Sequence, residues 1–141
     1  MIPAAAVIGM DVSRDWLDGF CASGARRLCL PNTVAGHAQL LVQLRTLPQP
    51  VRIGFEAKGG QEWMLWATLV AAGVEAVQLS PAQIKAFALS GGTRAKTDRI
   101  DAELIAGFML FRSEAGRRLP EGNLRVLATL TTRRGSVAQI G

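Results

Sequence analysis

Tyrosine is absent from this chain, and histidine, cysteine and lysine are scarce. Without tyrosine, the chain has no tyrosine nucleophile of the kind that some recombinases and topoisomerases use. A single histidine, His37, excludes a zinc site built on several histidines and leaves almost nothing for a Ser-His-Asp triad. No G-x-G-x-x-G or P-loop motif occurs, so the common phosphate-binding loops are excluded too. Carboxylates are the remaining route to catalysis.

Cysteines are few, and long apolar runs are absent. Cys21 and Cys29 have a spacing that allows them to face each other across a hairpin, but they lack a C-x-x-C motif. This favours buried free thiols in a reducing cytosol over a disulfide or a zinc site. No stretch approaches the roughly 20 apolar residues of a membrane span, and residues 1–10 carry no basic segment of a signal peptide. We therefore predict a cytoplasmic protein without a membrane partner.

What the chain has is a large apolar fraction and an excess of arginine. Apolar residues make up 49% of 141 residues, enough to bury the core of one domain. The net charge is +5, and nine of the sixteen cations fall within residues 94–134. Because the planar arginine side chain suits phosphate and base contacts, these features indicate a nucleic-acid partner.

The hydrophobic pattern predicts an α/β fold. Residues 4–12 are typical of a strand buried on both faces, and the alternation over 16–22 and 26–30 predicts a hairpin after it. The later predicted elements are a helix capped by Asn32 or Thr33, a strand over 51–55, a helix over 61–72, a strand over 74–79, a helix opened by Ser80-Pro81, a helix over 98–111 capped by Thr97, and a final helix over 121–132. This order predicts a ribonuclease H-like mixed sheet flanked by helices, with an extra C-terminal helix.

Four acids form the candidate catalytic site. Asp11 and Glu56 each end an apolar strand, and neighbouring parallel strands would bring them together at one edge of the sheet. Asp98 and Asp101 are three residues apart, on one face of the predicted helix. Four carboxylates in one cleft repel each other unless a cation is present. We therefore predict that all four are catalytic residues that bind one or two Mg²⁺ ions, with Mn²⁺ as a substitute.

Three cations adjoin the second pair of acids. Arg94, Lys96 and Arg99 would lie beside the metal, where a phosphate group is needed, and we predict that they bind nucleic acid. Simpler explanations exist: a helix dipole alone favours Asp98 and Asp101 in the first turns, and cations often form only a solvated face. Asp11 is harder to explain in this way, because burying a carboxylate without a partner is costly.

We predict structural rather than catalytic roles for the other polar and aromatic residues near these segments. Asp15, Asp18 and Glu62 are predicted to be solvated, and His37 to lie on a helix surface. Trp63 and Trp66 are predicted to be core residues, with base stacking by an exposed tryptophan as the alternative.

Three segments together resemble the N-terminal domain of the IS110-type insertion-sequence transposases, DEDD-type recombinases that include the pilin-gene invertase Piv. They are Ile8–Ser13, Gly54–Ala57 followed by Gly59-Gly60, and Ala95–Ala102. The resemblance implies a RuvC-like fold in which Asp11, Glu56, Asp98 and Asp101 bind Mg²⁺ and act in DNA strand cleavage and exchange. It also implies a homo-oligomer that acts on DNA and is guided by a bridge RNA.

The chain departs from this family in two respects. Lys58 and Gln61 stand where such proteins often have a small hydroxyl residue and an aromatic residue. A second domain with a catalytic serine would follow the final helix, so we predict a catalytic domain over 1–115 and a helix with a truncated linker over 116–141.

Two other functions stay open: a non-catalytic DNA- or RNA-binding and oligomerisation module, and a stand-alone Holliday-junction resolvase. An actin-like ATPase, which Gly9–Ser13 also resembles, is excluded by chain length and the lack of a second phosphate loop.

Overall fold

The computed structural model describes residues 4–91 and 99–119. These residues form five strands and four helices. In chain order they are β1 (Ala6–Val12), β2 (Trp16–Cys21), β3 (Arg26–Pro31), α1 (Val34–Leu44), β4 (Val51–Glu56), α2 (Trp63–Ala71), β5 (Glu75–Leu79), α3 (Pro81–Ser90) and α4 (Ala102–Phe111).

The strands form one mixed sheet in the order β3-β2-β1-β4-β5. The hairpin strands are antiparallel, and β1 pairs with β2. On its other side β1 runs parallel to β4, which runs parallel to β5. The central position of β1 explains its nearly continuous apolar sequence, because both of its faces are covered. The predicted order of strands and helices over residues 4–91 is confirmed.

Helices cover both faces of the sheet. Leu40 of α1 and Trp66 of α2 belong to a buried cluster that includes Ile8 of β1 and Phe55 of β4. Helices α3 and α4 contact each other, and they contribute to a second cluster with Val77 and Leu79 of β5. Since side chains alternate along a strand, the residues of β1 and β4 that do not join the first cluster face α4.

Several predicted helix ends are confirmed. Thr33 is the N-cap of α1, and its hydroxyl accepts a hydrogen bond from the amide of Gly36 (3.0 Å). Ser80 caps α3 in the same way, with Pro81 in the first turn. Gly73 follows α2 with a φ of 81°, as expected for a glycine after a helix C-terminus.

The helix predicted over 98–111 starts later than the sequence pattern indicates. It begins at Ala102, and Asp101 is its N-cap, with extended backbone (φ −117°, ψ 174°) and a side chain that accepts from the amide of Leu104 at 2.8 Å. A capping aspartate is energetically preferred to one inside the first turn because it satisfies an otherwise unpaired amide. Thr97 and the helix predicted over 121–132 lie outside the described residues.

The predicted burial of Trp63 and Cys29 is wrong. Trp63 was expected in the core, but its position at the start of α2 leaves 51% of it exposed, whereas Trp66 is buried as predicted. Cys29 is an exposed free thiol and only Cys21 is buried. The hairpin register pairs Cys21 with Arg26 and Cys29 with Asp18, so the two cysteines do not face each other.

Helix α4 lies unusually close to the sheet at Gly9. A Cβ atom at Gly9 would overlap the carbonyl oxygen of Ala102 and the amide nitrogen of Ala106. On the neighbouring strand Gly54, which pairs with Gly9, lies under the side chain of Met109. The two glycines therefore form the floor on which α4 rests.

None of the helices in the described ranges has the length and hydropathy that a membrane crossing requires.

Candidate functional site

Asp11 and Glu56 lie side by side at the carboxyl ends of two parallel strands. The register pairs Met10 of β1 with Phe55 of β4, which makes Asp11 and Glu56 the next neighbours. Both are buried, with 6% and 8% of their surface exposed. Asp11 lies two residues after Gly9, and Glu56 lies two residues after Gly54. Because side chains alternate along a strand, both acidic side chains are on the sheet face that α4 covers. The predicted adjacency of these strand ends is confirmed, and the catalytic role of the two acids stays a prediction.

Two cations neutralise this acidic pair. The ammonium of Lys58 is 2.8 Å from Oδ1 of Asp11 and 3.3 Å from Oε1 of Glu56. Arg99 approaches from the solvent side, and its guanidinium is 2.9 Å from Oδ2 of Asp11. Burial alone would lower the pKa of Lys58, but the hydrogen bonds and negative charges of the two carboxylates outweigh it and raise that pKa. Lys58 is therefore charged at neutral pH.

The other predicted site residues have different outcomes. Asp101 caps α4 immediately before Ala102, whose carbonyl oxygen lies against Gly9, so it is on the sheet face that carries Asp11 and Glu56. Asp98, Arg94 and Lys96 lie outside the described residues. Arg99 pairs with Asp11 and keeps 75% of its side chain exposed. Within residues 4–91 and 99–119, no group of three or more acids, histidines or cysteines is close enough to hold a metal ion.

Glu62 contributes to the site in a way that the sequence analysis missed. It was expected to be solvated, like the exposed Asp15 and Asp18, but only 1% of it is exposed. Its carboxylate accepts hydrogen bonds from the amides of Lys58 (3.2 Å) and Gly60 (3.1 Å) and from the side-chain amide of Gln78 (2.8 Å). It thereby fixes the loop that carries Lys58. The available signal was the Gly59-Gly60 turn just before it, because the backbone amides of a turn need an acceptor.

Asn32 connects the loop that follows β1 with the loop that precedes α2. Its Nδ2 donates to the carbonyl of Ser13 (2.8 Å) and to that of Gln61 (3.2 Å), and these loops follow β1 and precede α2. Its Oδ1 is 2.8 Å from Nε2 of His37. His37 was predicted on a helix surface, but it is only 5% exposed, and its ring contacts Asn32.

The buried His37 predicts a dependence of stability on pH. Burial lowers its pKa below the ordinary value of about 6.5. Below pH 6.5 the unfolded chain binds a proton that the folded chain resists, so stability falls as the pH drops from that value toward the lower pKa of the folded state. We expect urea denaturation between pH 7 and pH 5 to show this loss in the wild type and a flatter profile in His37→Gln. Parallel profiles would contradict a role for His37 in this pH range.

The chemistry of the acidic pair fits a divalent cation. Asp11 and Glu56 supply carboxylate oxygens, the ligands that Mg²⁺ prefers. The position of the Lys58 ammonium demonstrates that both carboxylates converge on one cation within 3.3 Å. Asp11 and Glu56 therefore fit a divalent cation, and their role as metal ligands stays a prediction.

Comparison with known proteins identifies the fold and then the family. RuvC of T. thermophilus, solved in complex with a Holliday junction substrate, matches 79% of this chain and 98% of its own, with a TM-score of 0.53 and 17% sequence identity. The fold is thus RuvC-like, the ribonuclease H-like type that the sequence predicted. The family model of the IS110-type DEDD transposases, described as "Transposase", matches residues 8–139. This chain belongs to that transposase family. None of the curated proteins matches it.

Proposed function

We propose that this chain is the catalytic domain of a DNA transposase, which cleaves and exchanges DNA strands with the help of Mg²⁺ or Mn²⁺. The observation that carries the proposal is the convergence of two buried carboxylates, Asp11 and Glu56, on a single cation position. Membership of a transposase family supports the same reaction class. In this proposal Asp98 and Asp101 complete the set of metal ligands, as the sequence analysis predicted.

The residues of the chain have distinct tasks in this reaction. Bound Mg²⁺ supplies activation of an attacking oxygen and stabilisation of the leaving oxygen of the DNA backbone. Asp11 and Glu56 bind the ion, and the glycine floor under α4 holds Asp101 on the same face of the sheet. Arg99, whose guanidinium is largely exposed, is free to reorient from Asp11 toward a phosphate. Arg94 and Lys96 precede it in the chain, and in this proposal they also bind the nucleic acid.

Several features of the proposed function concern partners. DNA is the proposed substrate, because the net charge of +5 and the abundance of arginine favour a polyanion. A bridge RNA and assembly into a homo-oligomer follow from the family resemblance and are part of the proposal. The division into a catalytic domain over 1–115 and a connecting segment over 116–141 is also kept as a proposal.

A cleavage assay tests this function. We expect the wild-type chain to cut branched or duplex DNA only with Mg²⁺ or Mn²⁺, and expect Asp11→Asn and Glu56→Gln to lose cleavage while retaining DNA binding. Asp15→Asn is the matched control, because Asp15 is an exposed acid in the turn after β1. Activity retained by Asp11→Asn would overturn the assignment.

One observation favours a second candidate function, a DNA- or RNA-binding and oligomerisation module without turnover. Lys58 and Arg99 pair with Asp11, and Lys58 also pairs with Glu56, so cations of the chain itself offset the charge of the acidic pair. Equal nucleic-acid binding by all variants and cleavage by none would favour this module. Metal-dependent cleavage restricted to four-way junctions would instead favour a stand-alone junction resolvase.

A further inference from the structure

The side chain of Lys58 occupies the position between the two buried acids. Its Nζ contacts Asp11 and Glu56 at once, and only 24% of the side chain is exposed. An exposed surface ion pair contributes little because solvent screens it, but here both carboxylates are about nine-tenths buried. Removing Lys58 would leave two adjacent buried negative charges with Arg99 as the remaining cation that the structure describes beside them.

The fold holds Lys58 in this position through its backbone. The amide of Ala57 donates to the carbonyl of Leu79 on β5 (3.1 Å), and the amide of Lys58 donates to Glu62 (3.2 Å). Gly59 and Gly60 then turn the chain with φ values of 70° and 111°. These contacts fix the backbone on both sides of Lys58, and from this position its ammonium reaches both acids.

We propose that Lys58 is a resident counter-ion that competes directly with a divalent metal for Asp11 and Glu56. The ammonium and the metal need the same oxygens, Oδ1 of Asp11 and Oε1 of Glu56. A protonated lysine has no lone pair, so it cannot join the metal as a ligand. Metal binding therefore requires the Lys58 side chain to leave, and Lys58 sets how much metal is needed to load the site. The proposal rests on the metal site of the proposed function.

Metal titrations of charge-changing variants test the competition. We expect Lys58→Met to bind Mn²⁺ at least about tenfold more tightly than the wild type, because the metal no longer has to displace a positive charge from the carboxylate oxygens of Asp11 and Glu56. Free Mn²⁺ is measured by electron paramagnetic resonance. Lys58→Arg, which keeps the charge, is expected to stay near the wild type. Lys85→Met, which removes an exposed lysine of α3, is the matched control.

A second measurement uses the wild-type protein and so does not depend on the folding of a variant. We expect the rate of acetylation of Lys58, followed by mass spectrometry, to be low without metal and to rise several-fold with saturating Mg²⁺. The rate at Lys85 should not change.

The outcomes separate this proposal from the proposed function. Tighter metal binding by Lys58→Met without cleavage by any protein would support the counter-ion and contradict the nuclease. Equal Mn²⁺ affinity in the wild type and Lys58→Met, with binding abolished by Asp11→Asn, would overturn the counter-ion and leave the metal site intact. Metal binding by none of the proteins would overturn both, and an unchanged acetylation rate at Lys58 would overturn the counter-ion.

Discussion

Substitution of Gly9 by alanine is expected to lower the free energy of unfolding by about 3 kcal/mol or more, at the upper end of the cost of overpacking. The added Cβ would overlap backbone atoms of Ala102 and Ala106. Backbone atoms of a packed helix cannot rotate away as a side chain does, so α4 itself would have to move. Because Arg99 and Asp101 immediately precede α4, that movement would also disturb the ion pair between Arg99 and Asp11.

Urea denaturation of three glycine variants checks this prediction. Gly54→Ala should cost less than Gly9→Ala, since the atoms it meets belong to the side chains of Met109 and Leu79. Gly107→Ala is the control on α4: its Cβ would meet the ring of Phe87 at an ordinary contact distance of 3.7 Å, and alanine is favoured over glycine in a helix by up to about 1 kcal/mol. A Gly9→Ala protein as stable as the wild type would contradict the close packing of α4 against Gly9.

The elements that could be predicted from the sequence have local physical causes. The apolar run of β1, the alternation of the hairpin and the caps Thr33 and Ser80 each depend on residues within a few positions. The start of α4 was predicted too early because Thr97 and Asp101 both have the chemistry of an N-cap. Only the three-dimensional structure identifies Asp101 as the residue that caps the amide of Leu104.

The candidate site could be predicted only in part, because its contacts join distant parts of the chain. Asp11 and Glu56 were found since each ends a strand and neighbouring parallel strands align their ends. The role of Lys58 was not predicted, because its approach to Asp11 spans 47 positions and depends on the loop after β4. Glu62 was missed for a related reason: residue type alone predicts a solvated glutamate, whereas three nearby donors make its burial favourable.

Glu62→Ala is expected to destabilise the chain by about 3 kcal/mol, because it leaves the amides of Lys58 and Gly60 and the side chain of Gln78 without their acceptor. Glu62→Gln should cost less, since it retains one acceptor oxygen. The free energy of unfolding from urea denaturation measures both effects. The loss reflects the cost of leaving three partly buried donors unsatisfied, which exceeds the net value of the hydrogen bonds themselves.

The control for Glu62 is Asp15→Ala. Asp15 pairs with Arg14 at 3.2 Å, with 64% of its side chain exposed, so its removal should change stability by less than about 1 kcal/mol. If the two alanine variants were equally stable, Glu62 would be a solvated residue after all. If Glu62→Ala alone is destabilised, it should also loosen the backbone of Lys58, and Lys58 should then be acetylated faster in this variant even without metal.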